Sequence, residues 1–197
     1  MTTTTDRNDY SCGCSEGAGF KTLSEAELLS LPQTTHPTVH PLLKTGLHPA
    51  ASDALRAAGF EADDIGQTVG FALASAGTHA PDGRVNGKYY AACTDFHIAG
   101  KGEDEVKAIL KKLWAAGFAA WYRNPGHDHW PSADARHVHG AFAGVLMKPM
   151  VQHQVGDMLQ DPSANGLASH ADYQFLQTTH EDRLAIRTQF EKNYHID

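Results

Sequence analysis

A chain of 197 residues, 41% of them hydrophobic, is long enough to build one domain with its own core. Its net charge of −7 comes from intermixed acidic and basic residues with no basic stripe, which argues against nucleic acid as a partner. Apolar runs are broken well before membrane-spanning length, so no transmembrane span is expected, and three cysteines cannot form a disulfide framework.

In chain order, residues 1–20 are Thr-rich and then Gly-rich, with little to bury, and read as disordered; Cys12 and Cys14 lie there as thiols in a tail. The opening Met-Thr-Thr-Thr-Thr-Asp lacks the basic start and apolar stretch of a secretory signal. The chain is therefore expected to be cytoplasmic as synthesised, or to leave by a non-classical route. Ser24 followed by Glu27 is a capping box opening a short helix that stops before Pro32. Residues 33–49, rich in Thr, His and Pro, read as a linker. The compact domain is expected from about residue 49, with a helix capped by Ser52 and closed by Gly59.

Val69 to Ala74 is apolar and reads as a strand, with helix as the alternative. Residues 77–83 carry turn chemistry around His79, and Tyr89 to Ile98 reads as one core strand bearing Asp95. Val106, Ile109, Leu110, Leu113 and Trp114 have the spacing of an amphipathic helix that closes at Gly117. Phe118 to Tyr122 and His137 to Met147 read as strands, joined by a long loop rich in Gly, Pro, His and Asp. Helices follow from Lys148 to Leu159 and, after a polar loop, from Glu181 to Phe190. The expected fold class is α+β, a mostly antiparallel sheet with helices packed on one face. The divisions are a flexible extension with a short helix (1–48), the compact domain (49–160) and a C-terminal loop and helical tail (161–197).

Thirteen histidines make metal binding worth testing, and one pair stands out. In a strand, residues i and i+2 share a face, so His137 and His139 point the same way, spaced to serve one metal site. Histidine and carboxylate are the ligands of an open catalytic zinc site, which keeps one position for water. His79, Asp95 and either of His137 and His139 supply candidate ligands, and Asp134 a carboxylate for proton transfer. His127 and His129, flanking Asp128 in the long loop, are more simply solvated. Arg123 and Arg136 border that loop as candidate cations for a substrate carboxylate, and Arg123 is favoured because Arg136 alternates away from His137.

Residues 77–142 taken together resemble the zinc D-Ala-D-Ala carboxypeptidase family, which shares its fold with the Hedgehog signalling domain. The residues that carry this are His79-Ala-Pro-Asp-Gly83, Ala91-Ala-Cys-Thr-Asp95, Trp114-Ala-Ala-Gly-Phe118, Ala120-Trp-Tyr122 and His137-Val-His139. The resemblance implies a Hedgehog/D-Ala-D-Ala-peptidase-like fold, with His79, Asp95 and His139 as ligands of Zn2+ and His137 beside the metal. It also implies hydrolysis of an amide bond in a peptidoglycan-derived stem peptide, with Asp134 as the base and Arg123 binding substrate. Fifteen residues separate His79 from Asp95, more than the family's usual spacing, which makes His97 the alternative ligand; Asp128 is the alternative base. The rival functions are a non-catalytic zinc-stabilised binding domain and a secreted or phage-type lytic toxin. Nothing in the sequence specifies an oligomeric state or an endo- or carboxypeptidase.

Overall fold

The computed structural model describes residues 22–71, 77–167 and 170–194. Its elements are α1 (Glu25–Ser30), β1 (Gln33–Thr34), α2 (Pro49–Ala57), β2 (Gly83–Val85), β3 (Lys88–Tyr90), β4 (Cys93–Phe96), α3 (Glu103–Ala115), β5 (Phe118–Arg123), β6 (His137–Phe142), α4 (Pro149–Gln160) and α5 (His180–Phe190). The class is α+β as expected, but the strands form two three-stranded sheets, β1-β2-β3 and β4-β6-β5. All pairings are antiparallel except that of β1 with β2. No helix among the described residues is long and apolar enough to cross a membrane.

The second sheet sorts its side chains by alternation. Asp95 pairs with His139, which pairs with Trp121, and His137 pairs with Arg123. These five therefore share one face. The opposite face carries Phe96, Phe118, Phe142 and Tyr122, with Phe118 and Phe142 rings 4.9 Å apart. Tyr122 meets Phe175, which lies beneath Lys107 of α3, so this is the face turned towards the helix. Val106, Leu110, Leu113 and Trp114 of α3 are fully buried, as their helical spacing requires. Trp114 Nε1 donates to Ala120 O at 3.0 Å, locking the helix to β5.

The capping box at α1 is present: Glu27 N donates to Ser24 Oγ, and Ser24 N donates back to Glu27. Several expectations need correction. Tyr89 to Ile98 is not one strand. It breaks at Ala91-Ala92, whose N–H groups donate to Gly46 O and to the Asp82 carboxylate instead of to a ladder. Residues 83–90 form a hairpin closed by Asn86-Gly87, both with positive φ (51° and 78°), as a type I′ turn demands. Val69, Gly70 and Phe71 are irregular, and the rest of that expected strand lies outside the described residues, as do Cys12 and Cys14. β6 ends at Phe142 rather than Met147. The stretch read as a linker joins the body: Gln33–Thr34 pairs with β2, and Leu47 and His48 are buried. The tail also packs inward, with Tyr173, Ile186 and Phe190 in the core.

The cap of α2 is His48, not Ser52. Its Nδ1 accepts from Ala50 N at 3.2 Å, while Ser52 Oγ accepts from Leu43 N. An imidazole nitrogen can accept at the cap only while the ring is neutral. Burial, reinforced by the nearby His36, lowers the His48 pKa from 6.5 to about 4. Above pH 6.5 neither folded nor unfolded chain binds this proton. Between pH 6.5 and about 4 the unfolded chain binds it and the folded one resists, so stability falls as pH falls. The expected loss is on the order of 2 kcal/mol. Urea unfolding at pH 7 and 4.5 checks it: His48→Asn, a neutral cap, should lose that much less than the parent chain.

Candidate metal centre

Three elements bring the site together. β4 supplies Asp95, β6 supplies His139, and the turn before the β2–β3 hairpin supplies His79. One ligand atom from each lies within 4.8 Å of the others, an arrangement that could hold a metal ion. His79 Nε2 is 3.1 Å from Asp95 Oδ2, and His139 Nδ1 is 2.9 Å from Asp95 Oδ1. His137 approaches Asp95 Oδ1 at 3.7 Å. His79 and His139 are buried and Asp95 is 9% exposed.

The proton count at His79 is informative. Its Nδ1 lies 3.0 Å from Thr68 O, and a carbonyl can only accept, so Nδ1 carries the proton. In a neutral ring, Nε2 is then a bare lone pair facing a carboxylate oxygen. Two acceptors at 3.1 Å repel unless a positive species, a proton or a metal ion, lies between them. His137 repeats the pattern, with Nδ1 on Ala135 O at 2.9 Å and Nε2 turned towards Asp95. For zinc with bonds of about 2.0–2.1 Å, tetrahedral ligand atoms stand roughly 3.3 Å apart, close to the separations found here. The donor set fits.

Burial alone would raise the Asp95 carboxyl, but the charge of His79 and hydrogen bonds from His139 and His79 outweigh it. The carboxyl is held well below the usual range. Burial pushes the His139 imidazole down to about 4, against the pull of Asp95. Its Nε2 is buried without a partner, and its ring stacks on Trp121 at 6.3 Å. The ring is thus confined to one orientation, with Nδ1 towards the carboxylate.

Arg123, at the end of β5, is 1% exposed. Nη1 donates to Asn165 O at 2.6 Å, while Nε and Nη2 have no partner among the described residues. The guanidinium stands 5.4 Å from the Trp121 ring and 5.7 Å from that of Trp130. Arg136, by contrast, donates to Lys101 O and lies over Tyr122, on the other side of the sheet, as its alternation predicts.

The fifteen residues between His79 and Asp95 are absorbed by the hairpin, so the long spacing does not separate the two side chains. His97 is exposed and falls beyond β4; its N–H donates to Asp64 O. Asp134 joins no hydrogen bond or ion pair with the cluster among the described residues. Its N–H donates to Pro131 O, and its Oδ2 is buried without a partner. Asp128 lies in the loop with Oδ1 3.3 Å from Gln174 N, its pKa raised chiefly by burial. His127 is exposed.

A group invisible in the sequence braces the His79 turn. Lys148 Nζ donates to Thr78 O (3.0 Å), Ala80 O (2.7 Å) and Asp82 Oδ1 (2.9 Å), gripping the carbonyls on both sides of His79. Asp82 also accepts from Lys148 N and from Ala92 N at the entry to β4. Within Ala-Pro-Asp-Gly, Asp82 carries only the signature of a turn. No family model, curated protein or solved structure matches the chain.

Proposed function

We propose that the chain is a zinc-dependent peptidase that hydrolyses an amide bond in peptidoglycan stem peptides. The observation that carries the metal is His79 Nε2 set 3.1 Å from the Asp95 carboxylate while Nδ1 is committed to Thr68 O, a contact that calls for a cation between the two atoms. Zinc in such a site acidifies water and polarises a carbonyl. His79, Asp95 and His139 would hold the ion. His137, half-buried beside them, presents Nε2 to the charge that develops on the substrate oxygen. Asp134, with its buried unpartnered Oδ2, takes and returns the proton. Arg123 supports a substrate with a free carboxylate: its two unpartnered nitrogens suit a bidentate anion, and a buried cation without one is costly.

The near-complete burial of the three ligands favours one second reading, a zinc-stabilised binding domain in which His137 closes the fourth position. The two readings part on Asp134. Zinc content and cleavage of muropeptides of defined stem should be measured on the purified chain. The peptidase reading expects Asp134→Ala to keep its zinc and lose roughly 10²–10⁴-fold in turnover. Full zinc occupancy with no stem cleaved by the parent chain would sink it.

A further inference from the structure

A second cluster lies on the loops around Arg123. His129, in the segment joining β5 to β6, meets His170 and Asp172, in the segment joining α4 to α5. One ligand atom from each lies within 4.8 Å of the others. His129 Nε2 is 2.6 Å from Asp172 Oδ2, and the two imidazoles stack 3.8 Å apart at 16°.

The surroundings hold these groups in place. Asn165, with no exposed surface, donates through Nδ2 to Asp172 Oδ1 (2.9 Å) and Asp128 O (3.2 Å). It also accepts from Leu167 N, and its own N–H donates to His170 O. One buried amide thus orients the carboxylate and joins both loops. Asp128 and His129 both take left-handed backbone angles (φ 48° and 62°), uncommon for residues with side chains, and this turns His129 towards Asp172.

We propose that His129, His170 and Asp172 form a second divalent-metal site, separate from the His79–Asp95–His139 centre and independent of the peptidase reading. Two imidazoles and one carboxylate form a donor set that suits zinc and its borderline neighbours. Tetrahedral zinc needs ligand atoms roughly 3.3 Å apart. The His129–Asp172 pair must therefore open by about 0.7 Å from its 2.6 Å contact, and the rings must tilt out of their stack. The side chains of His129 and Asp172 are 50% and 42% exposed and free to make that adjustment.

The position of this cluster bears on the buried Arg123. The first loop carries Trp130, which lies over Arg123, and the second carries Asn165, whose carbonyl caps Arg123 Nη1. An ion here would add a tie between two loops that already meet through Asn165 beside the buried guanidinium.

Calorimetric titration of the chelator-stripped chain with zinc tests this. The parent should bind two equivalents, and His170→Ala and Asp172→Asn should each lose one, with affinity at that site down at least tenfold. His170 is exposed, Asp172→Asn keeps an oxygen to accept from Asn165 Nδ2, and circular dichroism reports whether the fold is kept. Unchanged stoichiometry and affinity in both variants would overturn the second site. Failure of the first centre shows separately, as an equivalent that His139→Ala does not remove.

Discussion

On the peptidase reading, substituting His139 by alanine should strip zinc from the first centre, whereas substituting His137 should leave the metal bound and remove the rate. The two residues differ by one turn of strand alternation, yet their surroundings assign different work. His139 is 1% exposed, with its ring stacked on Trp121 and Nδ1 set 2.9 Å from Asp95 Oδ1. Zinc bound by four ligands gains roughly 10–16 kcal/mol, so one ligand is worth about 3 kcal/mol, over a hundredfold in affinity. His137 stands farther from the carboxylate, at 3.7 Å, and its Nδ1 is committed to Ala135 O. Its Nε2 is placed to meet charge on a substrate, and losing such a donor costs roughly 10²–10³ in turnover. Zinc titration of both variants, with turnover of the zinc-loaded His137→Ala form, separates the roles. A His137→Ala chain that loses its zinc would instead make His137 a ligand and favour the closed, non-catalytic reading.

What was legible in the sequence is what local periodicity encodes. Alternation placed His137 and His139 on one face, and the register adds Asp95, Trp121 and Arg123 to it. The spacing of Val106, Leu110 and Leu113 marked α3, and Ser24 with Glu27 marked the start of α1. What failed depended on partners distant in sequence. Ala91 and Ala92 read as mid-strand because nothing nearby reveals that Gly46 and Asp82 take their N–H groups. His97 rivalled His79 because i+2 spacing assumes a continuing strand, and β4 stops at Phe96. The segment from 161 to 167 read as a polar loop, yet its carbonyls receive Trp121 Nε1, Arg123 Nη1 and Gln154 Nε2. Gly166 is held at φ 67° with the Trp121 ring about where a Cβ would meet it, at 3.0 Å, so a larger residue there would push on the ring that stacks against His139.

Lys148→Met should weaken zinc binding 10–100-fold although Lys148 touches none of the ligands. Its ammonium spends its three protons on Thr78 O, Ala80 O and Asp82, and the first two fix the backbone on either side of His79. Without that grip, the turn that aims Nε2 at Asp95 has more conformations to lose on binding the ion. The substitution also leaves the Asp82 carboxylate, whose side chain is wholly buried, without its countercharge. That alone costs about 3–5 kcal/mol. A second variant separates the two effects. Lys148→Met with Asp82→Asn removes the stranded charge and keeps an oxygen to accept from Ala92 N while losing the bond from the residue-148 N–H, so part of the stability should return. The carbonyls flanking His79 still lack the Nζ donor, so zinc affinity should stay low. Urea unfolding and zinc titration of the single and double variants decide the matter. If affinity recovers together with stability, Lys148 only balances a buried charge. If stability recovers alone, Lys148 positions the metal ligand.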